Sequence, residues 1–273
     1  MRRGNVRAAF ALADSAARRQ PRLADVHFQR GRMLSKMKRF GEAEKAYRKA
    51  LALRSDYPGA WLNLGNNASR QRQYRQALSF YRKAQATHPA KAKVLMGRTY
   101  ASLEKADSAK SAYRKALAVD STNTQAHIRL SLLLEKKGQL QTALRHSRRA
   151  LNLEPENIDY QYIYGAQLVK TGQAKAAMPY LEAVIEKRPW HYGAHYRLGR
   201  ALALSGQPEE AKRYMVEADS LQQLQSDISR QRELIQMQPS DPKHWRKLGE
   251  MLSRLGRPQK AQRAYRKARS LEN

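Results

Sequence analysis

The 273-residue chain has no cysteine, which excludes disulfides and thiolate metal sites and leaves the redox compartment unread. Acidic residues are scarce. Only 23 Asp and Glu stand against 53 Lys and Arg, giving a formal net charge of +30. Such a field favours anionic partners: acidic protein surfaces, nucleic acid or anionic lipid. No apolar run approaches the roughly 18 residues that a membrane-spanning helix needs. Catalytic signatures are missing too. There is no HExxH, no CxxC, no Gly-rich phosphate loop, no nucleophile elbow and no convergent carboxylate pair. The seven histidines are scattered. His191 and His195 are four apart, but a helix is expected to start between them and no third ligand accompanies them. We therefore expect no metal, no cofactor and no enzymatic activity.

What the chain does have is a ladder. Alanine recurs at Ala43, Ala77, Ala109, Ala143, Ala177, Ala211 and Ala261, at intervals of 34, 32, 34, 34, 34 and 50 residues. Twelve residues before each alanine stands a glycine or serine: Gly31, Gly65, Gly97, Ser131, Gly165, Gly199 and Gly249. Four residues after it comes a large side chain (Tyr47, Tyr81, Tyr113, Leu181, Met215, Tyr265), with Ser147 the exception. Small residues let two helix backbones approach, and a large residue four positions on lies on the same face. Gly138, Gly172, Gly206 and Gly256 fall between the two apolar runs of the later repeats, where a turn is needed. Pro89, Pro155 and Pro189 cannot continue a helix and are expected to close the second one. A period near 34 marks a stacked two-helix repeat, an architecture of recognition rather than catalysis.

The motif Trp61, Leu64, Gly65, Ala77, Tyr81, Ala84 and Pro89, repeated as Trp245, Leu248, Gly249, Ala261, Tyr265 and Ala268, resembles the tetratricopeptide repeat. That resemblance implies an all-α fold: a right-handed α-α superhelix, the solenoid of that family, whose concave groove binds peptides or partner proteins. It divides the chain into a half repeat at 1–23 (a second helix only) and seven repeats at 24–57, 58–89, 90–123, 124–157, 158–191, 192–241 and 242–273. The opening MRRGNVRAAFALADSAA imitates a secretory signal, but Asp14 interrupts it. Ala9, Ala13, Ala16 and Pro21 also fall in phase with a second helix. Beginning and ending on second helices, the chain is expected either to have lost flanking sequence or to meet a partner or second copy at an end.

The interval of 50 lengthens the sixth repeat, and nothing from Pro208 to Gln238 breaks a helix. The simplest reading is one long helix over 208–238 whose middle, around Leu221 to Ile228, lacks an ordinary neighbour. It would be either a spacer or an exposed seam for a homo-oligomer or larger complex.

Charge is uneven. Residues 1–57 carry +10 and 242–273 carry +8, whereas 192–241 carry −1. By analogy with the family, the first helix of each repeat lines the groove. Its candidate partner-binding residues are Arg32, Lys36, Asn63, Asn66, Arg70, Arg98, Arg129, Lys136, Tyr162, Lys170, Tyr196, Arg197 and Arg200. Asn63 and Asn66 share one repeat, so the two-carboxylate clamp of some family members is not reproduced. Tyr164 and His195 occupy positions that pack inside the repeat, while Tyr162 and Tyr196 are equivalent groove positions. The function expected is a non-catalytic scaffold whose basic groove takes an acidic peptide or partner protein. The alternative is sequence-tolerant binding of single-stranded nucleic acid, with phosphate contacts and stacked bases.

Overall fold

The structure is a computed structural model that describes residues 3–57 and 59–272. Met1, Arg2, Pro58 and Asn273, which fall at or next to borders drawn above, lie outside the described residues. Among the described residues there are fifteen α-helices and no strand. The chain divides into two compact units, Met1–Leu133 and Leu134–Asn273.

The N-terminal unit holds α1 (Arg3–Arg19), α2 (Ala24–Lys36), α3 (Phe40–Leu53), α4 (Ala60–Arg70), α5 (Tyr74–Ala84), α6 (Pro89–Ser102), α7 (Ala106–Val119) and most of α8 (Thr124–Lys136). The C-terminal unit continues with α9 (Leu140–Leu153), α10 (Ile158–Lys170), α11 (Ala174–Lys187), α12 (Tyr192–Leu204), α13 (Pro208–Met237), α14 (Pro242–Arg254) and α15 (Pro258–Glu272).

Helices pair because small residues allow it. Every ladder alanine is buried, at most 3% exposed. A Cβ added to Gly65 would stand 2.6 Å from Tyr81 Cδ1, and one on Gly97 would stand 2.7 Å from Tyr113 Cδ1. Glycine is therefore what lets the ring lie flat against the facing backbone. Each pair turns through a left-handed residue. Gly138, Gly172, Gly206 and Gly256 serve in the later pairs, but Lys38, Arg72 and Glu104 take φ of 63°, 60° and 58° in the earlier ones. Those three accept strain that glycine would not feel.

Between pairs a second device recurs. A donor near the start of a helix reaches the carbonyl six residues back: His27 to Pro21 at 2.9 Å, Gln161 to Pro155 at 2.8 Å, His195 to Pro189 at 2.9 Å and Trp245 to Pro239 at 3.0 Å. These bonds satisfy loop carbonyls that would otherwise lack a partner. They give His27 and His195 structural work. Pro89 corrects an expectation. It does not close α5, which ends at Ala84, but opens α6, where its missing N–H is tolerated.

Candidate functional site

In the N-terminal unit the tyrosines of the second helices point their hydroxyls toward the first helices. Tyr47, Tyr81 and Tyr113 are buried. Tyr47 hydrogen-bonds Ser35 Oγ at 3.0 Å, and Tyr81 donates to Asn66 Oδ1 at 3.0 Å. Burial pushes the Tyr81 hydroxyl up to about 12 against the opposing pull of Arg98 and Arg70. Tyr47 is raised by burial and opposed by Arg32 and Arg70, and Tyr113 is raised by burial and opposed by Arg129 and Arg98. Successive tyrosines thus share arginines, in the order Arg32, Arg70, Arg98 and Arg129. All four are exposed. Arg32 bonds Gln29 at 2.9 Å and lies 6.0 Å from the Phe28 ring. Among the described residues no carboxylate pairs with any of the four.

Other expected residues of this unit are engaged differently. Asn63 donates to the Gly59 carbonyl at 3.0 Å, and Asn66 is held by Tyr81. Both are half-buried, so their polar groups serve the fold first. Lys36 is exposed.

The C-terminal unit is arranged otherwise. Ser147 stands where a tyrosine is usual, and Gln167 fills the space. Ser147 Oγ donates to Gln167 Oε1 at 2.6 Å, and Gln167 Nε2 donates to Glu135 Oε2 at 2.8 Å. Glu135 also pairs with Lys170, so that cation is partly neutralised; Lys136 and Arg200 are exposed.

Tyr162 of α10 and Tyr196 and Arg197 of α12 do come together. With His191, Tyr192 and residues of α13 they line a cavity of about 560 Å³. Arg197 lies 5.7 Å from the Tyr196 ring, and Tyr162 packs on His191 with centroids 4.4 Å apart. Burial raises the Tyr162 hydroxyl, and Arg197 opposes that by charge and hydrogen bonding. His191 Nδ1 accepts from the Ala194 N–H at 3.1 Å and caps α12. Burial, helped by Arg188, keeps the His191 imidazole below its usual range.

Asp219 and Gln222 of this cavity were not among the expected site residues, because only the lengthened α13 brings them there. The same helix corrects a second expectation. Its middle is not a bare seam: Leu221 and Ile228 are buried in a cluster with Leu248, Leu252 and Leu255, flanked by Trp190 and Leu224. The apolar face found its cover within the chain. Among the described residues no group of His, Cys, Asp and Glu could hold a metal ion, and no helix is long and apolar enough to cross a membrane.

Family models described as tetratricopeptide repeat match residues 24–57, 58–87, 90–123 and 168–230. Protein bimA of Emericella nidulans is 35% identical over 102 residues, which is 37% of this chain and 13% of that relative. This chain therefore spans only a small part of bimA. The crystal structure of YrrB, a TPR protein with an unusual peptide-binding site, superposes with a TM-score of 0.57 at 27% identity, covering 66% of this chain and 93% of that one. The Cut9–Hcn1 hetero-tetramer of the APC/C gives a TM-score of 0.62 at 17% identity, over 80% of this chain and 43% of that one, a likeness of fold alone.

Proposed function

Since this chain belongs to the tetratricopeptide repeat family, whose repeats build protein–protein interaction scaffolds, we propose that the arginine face of the N-terminal unit captures an acidic peptide segment of a partner protein. The observation that carries this reading is the series Arg32, Arg70, Arg98 and Arg129: exposed, free of carboxylate partners among the described residues, and shared between successive buried tyrosines. Guanidinium groups held on a regular lattice of helices match carboxylates spaced along an extended chain, and Arg offers a bidentate fork to each. The likeness to YrrB, itself a protein with a peptide-binding site, supports the same class of partner.

A fluorescently labelled dodecapeptide rich in Glu and Asp, titrated against the intact chain, tests the reading. Each exposed ion pair contributes about 0.5–1 kcal/mol, so Arg70→Gln with Arg98→Gln should weaken binding about 5–30-fold. Helicity should not change, because both side chains are exposed. Undiminished peptide binding by the double variant would refute the arginine face. Preference for single-stranded RNA, with affinity falling about 10²–10³-fold between 50 and 200 mM salt, would assign the face to phosphate backbones instead.

A further inference from the structure

The lengthened α13 sets the start of α15 against the loop that joins α11 to α12. Gln225 of α13 donates to the Trp190 carbonyl at 2.9 Å, and the Arg257 guanidinium lies 4.8 Å from the Trp190 ring. Between them opens a cavity of about 380 Å³, distinct from the Tyr162–Tyr196 cavity although His191 and Tyr192 border both. Its polar lining comes from Arg188, His191, Tyr192, Gln225, Arg257 and Lys260.

That lining is cationic and rich in donors, with the Tyr192 hydroxyl and the Gln225 side-chain oxygen its neutral acceptors. Arg and Lys side chains can only donate. His191 Nδ1 already accepts from Ala194, so its proton sits on the other ring nitrogen, which donates. No carboxylate lines the cavity. Arg188 has a partner, Asp159, at 2.5 Å; among the described residues, Arg257, Lys260 and the nearby Arg232 have none. Arg257 Nε is sealed from solvent without an acceptor, so in this half-buried side chain it is the rest of the guanidinium that faces a ligand in the cavity. Unanswered donors of this kind are uncommon in folded proteins. The cations also repel one another: Arg257 first, then burial, Arg232 and Arg263 hold the Lys260 ammonium below its usual range.

We infer that this cavity is an oxyanion site and that its ligand is the phosphate of a phosphorylated side chain on a partner protein. A carboxylate brings one charge and two oxygens. A phosphate monoester brings about −1.5 to −2 charges and three acceptor oxygens, enough to answer Arg257, Lys260 and the His191 N–H together. The oxyanion chemistry follows from the cavity; the protein as carrier rests on the scaffold reading above.

The test uses the intact chain and inorganic phosphate at constant ionic strength, followed by titration calorimetry. A phosphoserine peptide, its unphosphorylated form and a 5′-phosphorylated oligoribonucleotide are then titrated in parallel. Phosphate and phosphopeptide should bind and the unphosphorylated peptide should not. Lys260→Gln removes a charge-assisted bond and should weaken phosphate about tenfold or more. Lys267→Gln, an equal loss of charge at an exposed position of the same helix, should leave binding unchanged. Arg257→Lys should also weaken it, but that residue packs on Trp190, so Lys260 decides the matter if the Arg257 variant misfolds. No phosphate binding, or equal weakening by Lys267→Gln, would overturn the site. Binding of the oligoribonucleotide but not the phosphopeptide would overturn the carrier. Arg70→Gln with Arg98→Gln should not alter phosphate binding, so failure of the arginine face and failure of this site are separable.

Discussion

Gly65→Ala should destabilise the N-terminal unit, although alanine is the better helix former. The added Cβ would lie 2.6 Å from Tyr81 Cδ1 and 2.9 Å from Cζ, about an ångström inside an ordinary carbon contact. The ring cannot simply retreat, because Tyr81 is 1% exposed and its hydroxyl is tied to Asn66. Overpacking of this kind costs about 1–3 kcal/mol, and a strained or broken hydrogen bond adds about 0.5–1.5. Helix propensity returns about 1 kcal/mol. The net loss should be about 1–3 kcal/mol. Urea unfolding read from Trp61, one turn before Gly65 on α4, measures it. Tyr81→Leu provides the matching background, since Leu181 opposite Gly165 leaves 3.1 Å to a Cβ, a tight contact that a shift of a few tenths of an ångström in a flexible side chain relieves. In that background Gly65→Ala should be neutral or stabilising, a coupling of about 2 kcal/mol. Gly41→Ala, with nothing within 4 Å of the new Cβ, should stabilise by about 0.5–1 kcal/mol. If Gly65→Ala proves as harmless as Gly41→Ala, or equally harmful when combined with Tyr81→Leu, close approach is not what the glycine provides.

Arg72→Gly should raise the unfolding free energy by about 0.5–1 kcal/mol, read as a higher urea midpoint, because Arg72 sits at φ 60° while Gly172 takes φ 80° at the corresponding turn; a lower midpoint would show that the turn carries no strain. His191 should titrate below its usual 6.5 by NMR. Its neutral form is favoured by the fold, so this contribution to stability is present above pH 6.5 and fades as pH falls through the depressed value. Titration at or above 6.5 would contradict the burial and capping assigned to it. Gln167→Leu should cost about 1–3 kcal/mol by stripping a donor from Glu135 and an acceptor from Ser147, whereas Lys170→Met, at a part-exposed pair, should cost less than about 1 kcal/mol. The reverse order in thermal unfolding would mean that the ion pair, not the buried amide, holds that junction.

The all-helical, paired architecture was legible because one constraint writes it into the sequence repeatedly: an alanine or glycine wherever two helices must touch. One exception was legible only in half. Ser147 stands in the sequence where a large side chain is usual, which announces a space but not its occupant. Gln167 of the following pair supplies it, and both side chains end fully buried. Sequence spacing relates residues within a pair; it does not say which neighbour will reach across. The candidate site divides along the same line. Exposure follows helical period, so Arg32, Arg70, Arg98 and Arg129 could be placed on one face. Partnership depends on rotamers and the register between helices, so the engagement of Lys170 by Glu135 and of Asn66 by Tyr81 could not.

The long helix was read from the sequence to within a residue of its end, but what packs on it was the least legible part of the fold, and the reason is energetic. Thirty residues span about 45 Å at about 1.5 Å each, and the apolar spacing of Leu221, Leu224, Ile228 and Ile235 was plain in the sequence. What spacing omits is where the next helices will settle along that length. Leaving Leu221 and Ile228 in water forfeits about 1.5–3 kcal/mol each, while α14 and α15 need an apolar face of their own. Both needs are met when Leu248, Leu252 and Leu255 pack on the same stretch of α13. The insertion therefore works as a rail, and its length fixes where the start of α15 comes to rest. That resting place is beside Trp190, which brings Arg257 and Lys260 of the strongly basic segment 242–273 to the edge of a built cavity. Shortening α13 by about two turns from Leu221 onward should accordingly separate Arg257 from Trp190. It should remove phosphate binding while leaving the arginine face of the N-terminal unit intact.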